Sequence, residues 1–227
     1  MKVLIIEDDT NVVEAVSLCL QLRWPEVTIS STAEGTRGIE ILKSDSFDAV
    51  ILDINLPDIS GFEVLRRIRS FSSVPIVILT VRGGEEDQIK GLEIGADDYI
   101  VKPFSPRDVI ARVNTVLRRT VAYRAAMEQP IFVQGKLSLN LSSGEVKLGE
   151  EIAKLTPNES RLLYILMNNA EQTISNERIA QEIWQGKHIN GGLVRTYIRR
   201  LREKLSDNPP RIILTKRGEG YRFVSPT

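Results

Sequence analysis

Cysteine and histidine are scarce in this sequence of 227 residues, which contains one of each, Cys19 and His188. A single cysteine excludes a framework of internal disulfides and fits a reducing compartment. Cys19 lies in an apolar helical pattern, AVSLCLQL, and we expect it to be a small core residue. His188 falls in a loop without kinase-like surroundings, so we do not expect the chain to phosphorylate itself from ATP.

Long apolar runs are also lacking, because no run approaches the roughly 20 residues that a helix needs to span a bilayer. The N-terminal MKVLIIEDD reaches its first acid at Glu7, which is unlike a signal peptide. We therefore expect a cytoplasmic protein that makes no membrane contact. The hydrophobic fraction of 42% is enough for ordinary cores, and the length suits one large domain or two ordinary ones.

The net charge of zero conceals an asymmetry between the two halves of the chain. Residues 1–120 hold 14 Lys and Arg against 19 Asp and Glu, whereas residues 121–227 hold 16 against 11. The last 41 residues, from Lys187 onward, contain 10 basic and 3 acidic residues. An acidic half joined to a basic half predicts two domains with different partners, and the basic one is a candidate for binding nucleic acid.

The first half alternates short apolar runs with amphipathic helical stretches. We expect strands at residues 2–6, 27–30, 49–52, 76–79 and 98–101. We expect helices at residues 11–22, 33–43, 61–70, 85–94 and 106–118. Apolar strands that alternate with helices predict a doubly wound α/β fold with a five-stranded parallel sheet covered on both faces. Ligands of such sheets bind just beyond the carboxyl ends of the strands.

Polar side chains stand at the ends of four of these strands: Glu7 and Asp8, Asp53, Thr80, and Lys102. A lone aspartate at a strand end is usually an ordinary turn residue, but this joint occurrence is hard to explain by turns. Three clustered carboxylates repel one another and need a cation. Mg²⁺ suits them, because it takes a few oxygen ligands and keeps several waters.

Chemical roles follow from the residue types. Asp53 can act as a nucleophile toward a phosphoryl group, while Mg²⁺ and Lys102 stabilise the oxygens of that group during transfer. The backbone carbonyl of Asn55 could serve as a further metal ligand. Thr80 could hydrogen-bond to the phosphoryl oxygens after transfer.

Residues 1–120 resemble the receiver domain of bacterial two-component response regulators, which has a flavodoxin-like fold. The resemblance rests on the motifs IIEDD, VILDINLPDISG, IVILT and GADDYIVKPF. It implies that a sensor histidine kinase phosphorylates Asp53, with Glu7, Asp8 and Asn55 at the metal.

The resemblance also implies features around the phosphoryl site. Thr80 and Tyr99 should form a switch pair, and Lys102–Pro103 should be a cis peptide. Phosphorylated receivers should pair through ion pairs of Asp98 with Arg112 and of Asp97 with Arg119. A position that is usually basic in this family is Gln88 in this chain, so one inter-subunit ion pair is expected to be absent.

The second half begins after residues 121–130, which we interpret as a linker. Four short alternating segments, 131–134, 137–141, 145–148 and 151–155, predict a small antiparallel sheet. Helical patterns follow at 156–169 and 176–184. The first of them opens with Thr156 as cap, Pro157 at the first position and Glu159 three residues after the cap.

A further helix, LVRTYIRRLREKL at 193–205, has an apolar face and a basic face. Five cations on one short helix, with Glu203 as their local counter-charge, repel one another unless a polyanion neutralises them. An apolar strand at 211–214 and a basic hairpin, TKRGEGYRF, follow. A basic helix beside a basic hairpin matches reading of the major groove with an adjacent wing.

Roughly residues 131–225 resemble the winged-helix effector domain of the OmpR/PhoB subfamily, an α+β winged helix-turn-helix fold, and we expect this domain to span residues 131–227. The motifs LTPNESRLL, IRRLREKL and RGEGYRF carry the resemblance. It implies minor-groove contact from Arg217. It also implies base and phosphate contacts from Arg195, Thr196, Tyr197, Arg199, Arg200 and Arg202. Relatives often have an acid at the position of Arg195, so no relative's DNA sequence preference transfers to this chain.

We interpret the chain as a transcription factor controlled by phosphorylation. Its expected partners are a sensor histidine kinase, double-stranded promoter DNA and, once phosphorylated, a second copy of itself; RNA polymerase is a candidate. We expect no stand-alone enzyme, only slow hydrolysis of the phosphoryl group on Asp53. An aspartyl-phosphate phosphatase is disfavoured, because such enzymes commonly need a second carboxylate where this chain has Asn55. A phosphate-independent DNA-binding protein is disfavoured by the intact set of polar residues at the strand ends.

Overall fold

The computed structural model describes the backbone of residues 1–81, 85–125, 131–184 and 191–226, and the side chains of these except 85, 86, 118–125 and 191. The chain folds into two compact units, residues 1–118 and 119–227. Of the helices within the described ranges, none combines the length and apolar character needed to cross a bilayer.

The first unit is a five-stranded parallel sheet with helices on both faces. The strands are β1 (Lys2–Ile6), β2 (Thr28–Thr32), β3 (Ala49–Asp53), β4 (Ile76–Thr80) and β5 (Asp98–Val101). The helices are α1 (Thr10–Arg23), α2 (Gly35–Ser44), α3 (Gly61–Arg69), α4 (Glu85–Ile94) and α5 (Pro106–Ala125). The strand order is β2-β1-β3-β4-β5, which confirms the doubly wound parallel sheet predicted from the sequence.

The apolar strands supply two separate cores, one on each face of the sheet. Val3 and Ile5 of β1 pack with Val109 and Val113 of α5 on one face. Leu4 and Ile6, which alternate with them along β1, pack with residues of α2 and α3 on the opposite face. Because successive strand residues point to opposite faces, strands buried on both faces are apolar throughout, and this is why they appear as continuous apolar runs.

The predicted and observed elements of this unit agree closely. Each strand lies within two residues of its predicted position. The helix α5 extends to Ala125, beyond the predicted 118, so the first five residues of the proposed linker are helical. Residues 126–130 of that linker lie outside the described residues, and the boundaries at 120 and 130 stay a proposal.

The second unit contains two small antiparallel sheets and a set of helices. One sheet has the order β6-β7-β8-β9, with β6 (Ile131–Gln134), β7 (Leu137–Asn140), β8 (Glu145–Leu148) and β9 (Glu151–Lys154). The other has the order β10-β12-β11, with β10 (Thr173–Ile174), β11 (Ile213–Lys216) and β12 (Gly220–Phe223). The helices are α6 (Pro157–Asn168), α7 (Asn176–Trp184) and α8 (Gly191–Lys204).

The start of α6 forms as the sequence predicts. Thr156 accepts a hydrogen bond from the backbone N–H of Glu159, and the Glu159 carboxylate accepts one from the N–H of Thr156. Lys204, near the end of α8, donates to the same carboxylate at 2.6 Å. This capping box therefore also fixes the end of α8 against α6.

The short strand β10 is the one element of this unit, within the described residues, that the sequence patterns do not predict.

Candidate functional site

The carboxyl end of the parallel sheet brings three carboxylates together. The strand order reverses between β1 and β3, and this places a crevice between the ends of those neighbouring strands. One carboxylate oxygen from each of Glu7, Asp8 and Asp53 lies within 4.8 Å of the others. Glu7 and Asp53 are buried, whereas Asp8 is exposed.

Lys102 reaches this cluster from the end of β5, on the far side of β4. Its Nζ lies 2.6 Å from Glu7 Oε2 and 2.9 Å from Asp53 Oδ2. Burial lowers the pKa of Lys102, but the hydrogen bonds to Glu7 and Asp53 outweigh burial and raise it above its ordinary value. Lys102 is therefore a firmly charged ammonium that touches the candidate nucleophile.

The surroundings of Glu7 shift the pKa of its carboxyl group. Burial, together with the charge of Asp53, raises its pKa from 4.5 to about 7, although the hydrogen bond from Lys102 works in the opposite direction. A carboxylate that holds a proton near neutrality lacks enough positive charge nearby. A divalent cation would supply that charge.

The donor set fits Mg²⁺. Glu7, Asp8 and Asp53 provide carboxylate oxygens around one point, and one of the three is open to solvent. Mg²⁺ favours a site with a few carboxylates and room for several waters. Asn55 is exposed next to the cluster, and its backbone N–H lies 3.3 Å from Asp53 Oδ1.

A cleft of about 450 Å³ opens beside Asn55. Its lining includes Thr80, at the end of β4, and Ser60 and Lys90. The Thr80 residue is only 2% exposed, and the ring of Tyr99 is half-buried against the apolar core on one face of the sheet. The peptide bond between Lys102 and Pro103 is cis, which confirms the expectation from the resemblance.

The four residues expected on a pairing face have different surroundings. The Asp97 side chain is fully buried, accepts the N–H of Ile76 at 2.9 Å and pairs with Arg69 at 3.0 Å. This corrects the expectation that Asp97 is available to a second copy. Asp98 is also buried, with its side chain 4% exposed, and pairs with Arg112 inside one protomer at 3.4 Å. The side chain of Arg119 lies outside the described residues.

The helix α8 presents cations on the side opposite its buried face. Arg195 is exposed, and the side chain of Arg199 is 66% exposed and pairs with Glu203 at 2.9 Å. Arg200 is half-buried, with its guanidinium 5.4 Å from the ring centroid of Tyr197. The hydroxyl of Thr196 donates to the Gly192 carbonyl at 3.2 Å, which is ordinary bonding within a helix.

Two residues expected to contact DNA have structural partners instead. Tyr197 is 1% exposed and packs edge-on against Trp184, with ring centroids 5.1 Å apart, so it belongs to the core. Arg202 donates from its Nε to the Ile213 carbonyl at 3.0 Å and from its Nη2 to the Thr215 hydroxyl at 3.0 Å. We therefore withdraw Tyr197 and Arg202 as direct DNA contacts.

Arg202 joins α8 to the hairpin of β11 and β12. A second set of hydrogen bonds fixes the segment between α8 and β11. The buried carboxylate of Asp207 accepts three backbone N–H groups, from Arg211, Ile212 and Ile213, at 2.6–2.9 Å. Sequence reasoning missed Asp207, because an aspartate before a proline pair reads as a turn residue. Arg217 is exposed in the turn of this hairpin.

Comparisons with known proteins agree with these two units. A family model described as the response regulator receiver domain matches residues 3–114, and one described as the C-terminal part of transcriptional regulatory proteins matches residues 149–223. The chain is 36% identical to the uncharacterised transcriptional regulatory protein YclJ of Bacillus subtilis (strain 168), over 98% of this chain and 99% of YclJ. It is 34% identical to the regulatory protein VanRc of Enterococcus gallinarum, over 97% of each chain.

A solved structure of a RitR mutant covers 99% of both chains with a TM-score of 0.71 and 25% identity. YclJ and VanRc are more than 30% identical to this chain over nearly its whole length, which shows the family to which it belongs. The chain therefore belongs to the response regulators of the OmpR/PhoB type, and it is a DNA-binding transcriptional regulator of a two-component system.

Proposed function

We propose that a sensor histidine kinase transfers a phosphoryl group to Asp53 and that this transfer controls DNA binding. The observation that carries the proposal is the ammonium of Lys102 between Glu7 and Asp53, at the crevice of the sheet. We propose Mg²⁺ as the cofactor, held by Glu7, Asp8, Asp53 and the backbone carbonyl of Asn55.

The residues of the chain have distinct tasks in this transfer. An oxygen of Asp53 attacks phosphorus, the bond from phosphorus to the donor nitrogen breaks, and the imidazole of the kinase takes that electron pair. Lys102 holds Asp53 in place and offers positive charge to the phosphoryl oxygens. Bound Mg²⁺ would neutralise further charge on those oxygens. Thr80 lies at the end of the next strand, where its hydroxyl could donate to the transferred group, with Tyr99 as its switch partner.

Replacing Asp53 by Asn should abolish labelling of the chain by a small phosphodonor, because the amide is not a nucleophile for phosphorus. The acid-labile phosphate can be located by mass spectrometry after incubation with Mg²⁺. Asp48→Asn is the control, since Asp48 precedes the same strand at its other end. Efficient labelling of Asp53→Asn would show that another residue accepts the group.

The raised pKa of Glu7 predicts how the stability of the metal-free protein depends on pH. The folded state keeps a proton on Glu7 between pH 4.5 and about 7 that the unfolded state has lost. The free energy of unfolding therefore falls, through this group, as pH rises across that window. Glu7→Gln, which mimics the protonated form, should raise the melting temperature at pH 8 and have little effect at pH 5.

Melting in EDTA tests this prediction, with the exposed Glu40→Gln as control. Added Mg²⁺ should raise the melting temperature of wild type more than that of Glu7→Gln. A variant that melts below wild type at pH 8 in EDTA would contradict the assigned charge balance.

We propose that phosphorylated receivers form dimers, with Arg112 on the pairing face. Arg112 is 40% exposed, so the guanidinium that pairs with the buried Asp98 in one protomer is also open to an acidic group of a second copy. Because exposed ion pairs contribute about 0–1 kcal/mol each, no single pair should dominate this association.

Arg112→Ala should measurably weaken dimers of the phosphorylated protein, by no more than about 30-fold, because a two-fold symmetric dimer loses such a pair twice. Sedimentation equilibrium measures the dimer constant. Arg66→Ala, on the exposed surface of α3, is the control. An unchanged constant for Arg112→Ala would place pairing on another face.

RNA polymerase stays a candidate partner.

We propose that α8 enters the major groove of DNA and that the hairpin lies beside it. The cations Arg195, Arg199 and Arg200, with Thr196, are the proposed contacts on α8. Arg200 should reach base edges, because stacking near Tyr197 holds it in place. Arg217, in the exposed hairpin turn, should contact the backbone or the minor groove.

Arg200→Ala should relax preference at one or two positions of a selected site, since a base-reading arginine gives about 1–3 kcal/mol of discrimination. Arg217→Ala should weaken specific and random duplexes alike, unless Arg217 reads a narrow A·T-rich groove. Binding to singly substituted duplexes at two salt concentrations separates these effects, with Arg37→Ala in the receiver as control. If Arg200→Ala keeps every base preference, readout rests on Arg195, Thr196 or Arg199.

A further inference from the structure

The loop that follows Asp53 caps a helix from which it is distant in sequence. The Asp58 carboxylate accepts the backbone N–H of Gly35 at 2.9 Å, and the N–H and hydroxyl of Thr36 at 2.8 and 2.7 Å. Glu34, which precedes α2, makes no side-chain cap bond. Asp58 therefore satisfies N–H groups at the start of α2 that would otherwise lack partners within the helix.

The charge of Asp58 suits this position. Burial raises its pKa, but hydrogen bonds from Thr36, Gly35 and Ile59 outweigh burial and hold the pKa well below its ordinary value. Asp58 is therefore ionised throughout the physiological range. A negative charge at a helix N-terminus also interacts favourably with the helix dipole.

Close packing connects the same loop to α2. A Cβ atom on Gly35 would lie 2.4 Å from Val64 Cγ2 and 3.1 Å from both Leu56 Cδ1 and Ile59 Cγ1. The first residue of α2 thus rests directly on the loop of residues 54–60 and on α3. This contact leaves no space for a side chain, so the distance between α2 and the loop is set within narrow limits.

The other end of the loop is pinned to the phosphoryl acceptor itself. The N–H of Gly61 donates to the Ile54 carbonyl at 2.8 Å. A Cβ atom on Gly61 would lie 2.0 Å from the carbonyl oxygen of Asp53. The loop is therefore held at two places: Asp58 bonds to the start of α2, and Gly61 packs against the backbone of Asp53. Asn55 lies in the short segment between Asp53 and Asp58.

We propose that Asp58 is a positioning residue of the phosphoryl site. By capping α2 it holds residues 54–60 in the conformation that presents Asn55 to Mg²⁺. The inference rests on the metal site proposed above and assigns to Asp58 a task that differs from ligation. Residues that orient metal ligands typically change affinity by about 10–100-fold when they are replaced.

Mg²⁺ binding to the unphosphorylated full-length protein, measured by calorimetry, tests the proposal without any phosphoryl transfer. Asp58→Ala should weaken Mg²⁺ binding by roughly 10-fold, the lower end of that range. Asp58→Asn is the second variant, because it keeps the size of the side chain and the fold. Asp48→Ala is the matched control, since the Asp48 carboxylate accepts the Lys2 N–H at 2.7 Å at the opposite end of β3.

Thr36→Val provides a test from the side of the helix, because it removes the hydroxyl donor to Asp58 and leaves the loop sequence intact. It should weaken Mg²⁺ binding less than Asp58→Ala does, and the double variant should be no weaker than Asp58→Ala alone. Such non-additivity shows that the two residues act through the same contact.

The proposal is overturned if both Asp58 variants bind Mg²⁺ within about twofold of wild type, well below the range for residues that orient ligands. It is also overturned if Asp48→Ala weakens binding as much as Asp58→Ala, since general loss of stability would then explain the effect. Failure of wild type to bind Mg²⁺ would instead remove the metal site itself, and the inference with it.

Discussion

The contact of Lys102 with Glu7 and Asp53 is the constraint on which the first unit depends. Taking a carboxylate out of water costs several kcal/mol unless a partner compensates for it, and two are buried here side by side. Lys102 directly follows β5, Glu7 directly follows β1, and Asp53 ends β3, so the contact exists only when the strands between them are in register. The Asp53 carboxylate is thus held in place by the sheet as a whole.

The same contact leaves a deficit of positive charge. Burial, and after it the charge of Asp53, raises the pKa of Glu7 despite the hydrogen bond from Lys102, so one ammonium does not fully offset the burial of these carboxylates. In the proposed function this imbalance favours binding of a cation and, with that cation, of the oxygens of a phosphoryl group. The buried Glu7 then makes the metal-free protein less stable near neutral pH, at the position proposed for phosphoryl transfer.

The second unit is organised by hydrogen bonds that join α8, the hairpin of β11 and β12, and α6. Arg202 bonds to Ile213 and Thr215, Asp207 accepts three N–H groups at the start of β11, and Lys204 bonds to Glu159 of α6. These bonds join the helix and the hairpin into one surface. Such pre-organisation reduces the entropy that must be lost when a helix and a wing bind DNA together.

The sequence by itself determined the fold of both units and which residues meet at the proposed phosphoryl site. Runs that are apolar on both faces specify buried parallel strands, and parallel strands put Glu7, Asp53, Thr80 and Lys102 at one edge whatever the details of packing. The capping box of α6 was equally local, because its residues lie within one turn of chain.

Only the tertiary structure decided which partner each remaining polar side chain takes. Asp97 faces Arg69 inside its own unit, Tyr197 packs on Trp184, and Asp58 caps a helix that begins 23 residues earlier in the chain. Spacing along a helix or strand gives the direction of a side chain, but contacts between distant segments depend on how the elements pack. A short polar side chain in a loop carries no periodic signal, so its partner becomes known only once the chain is folded.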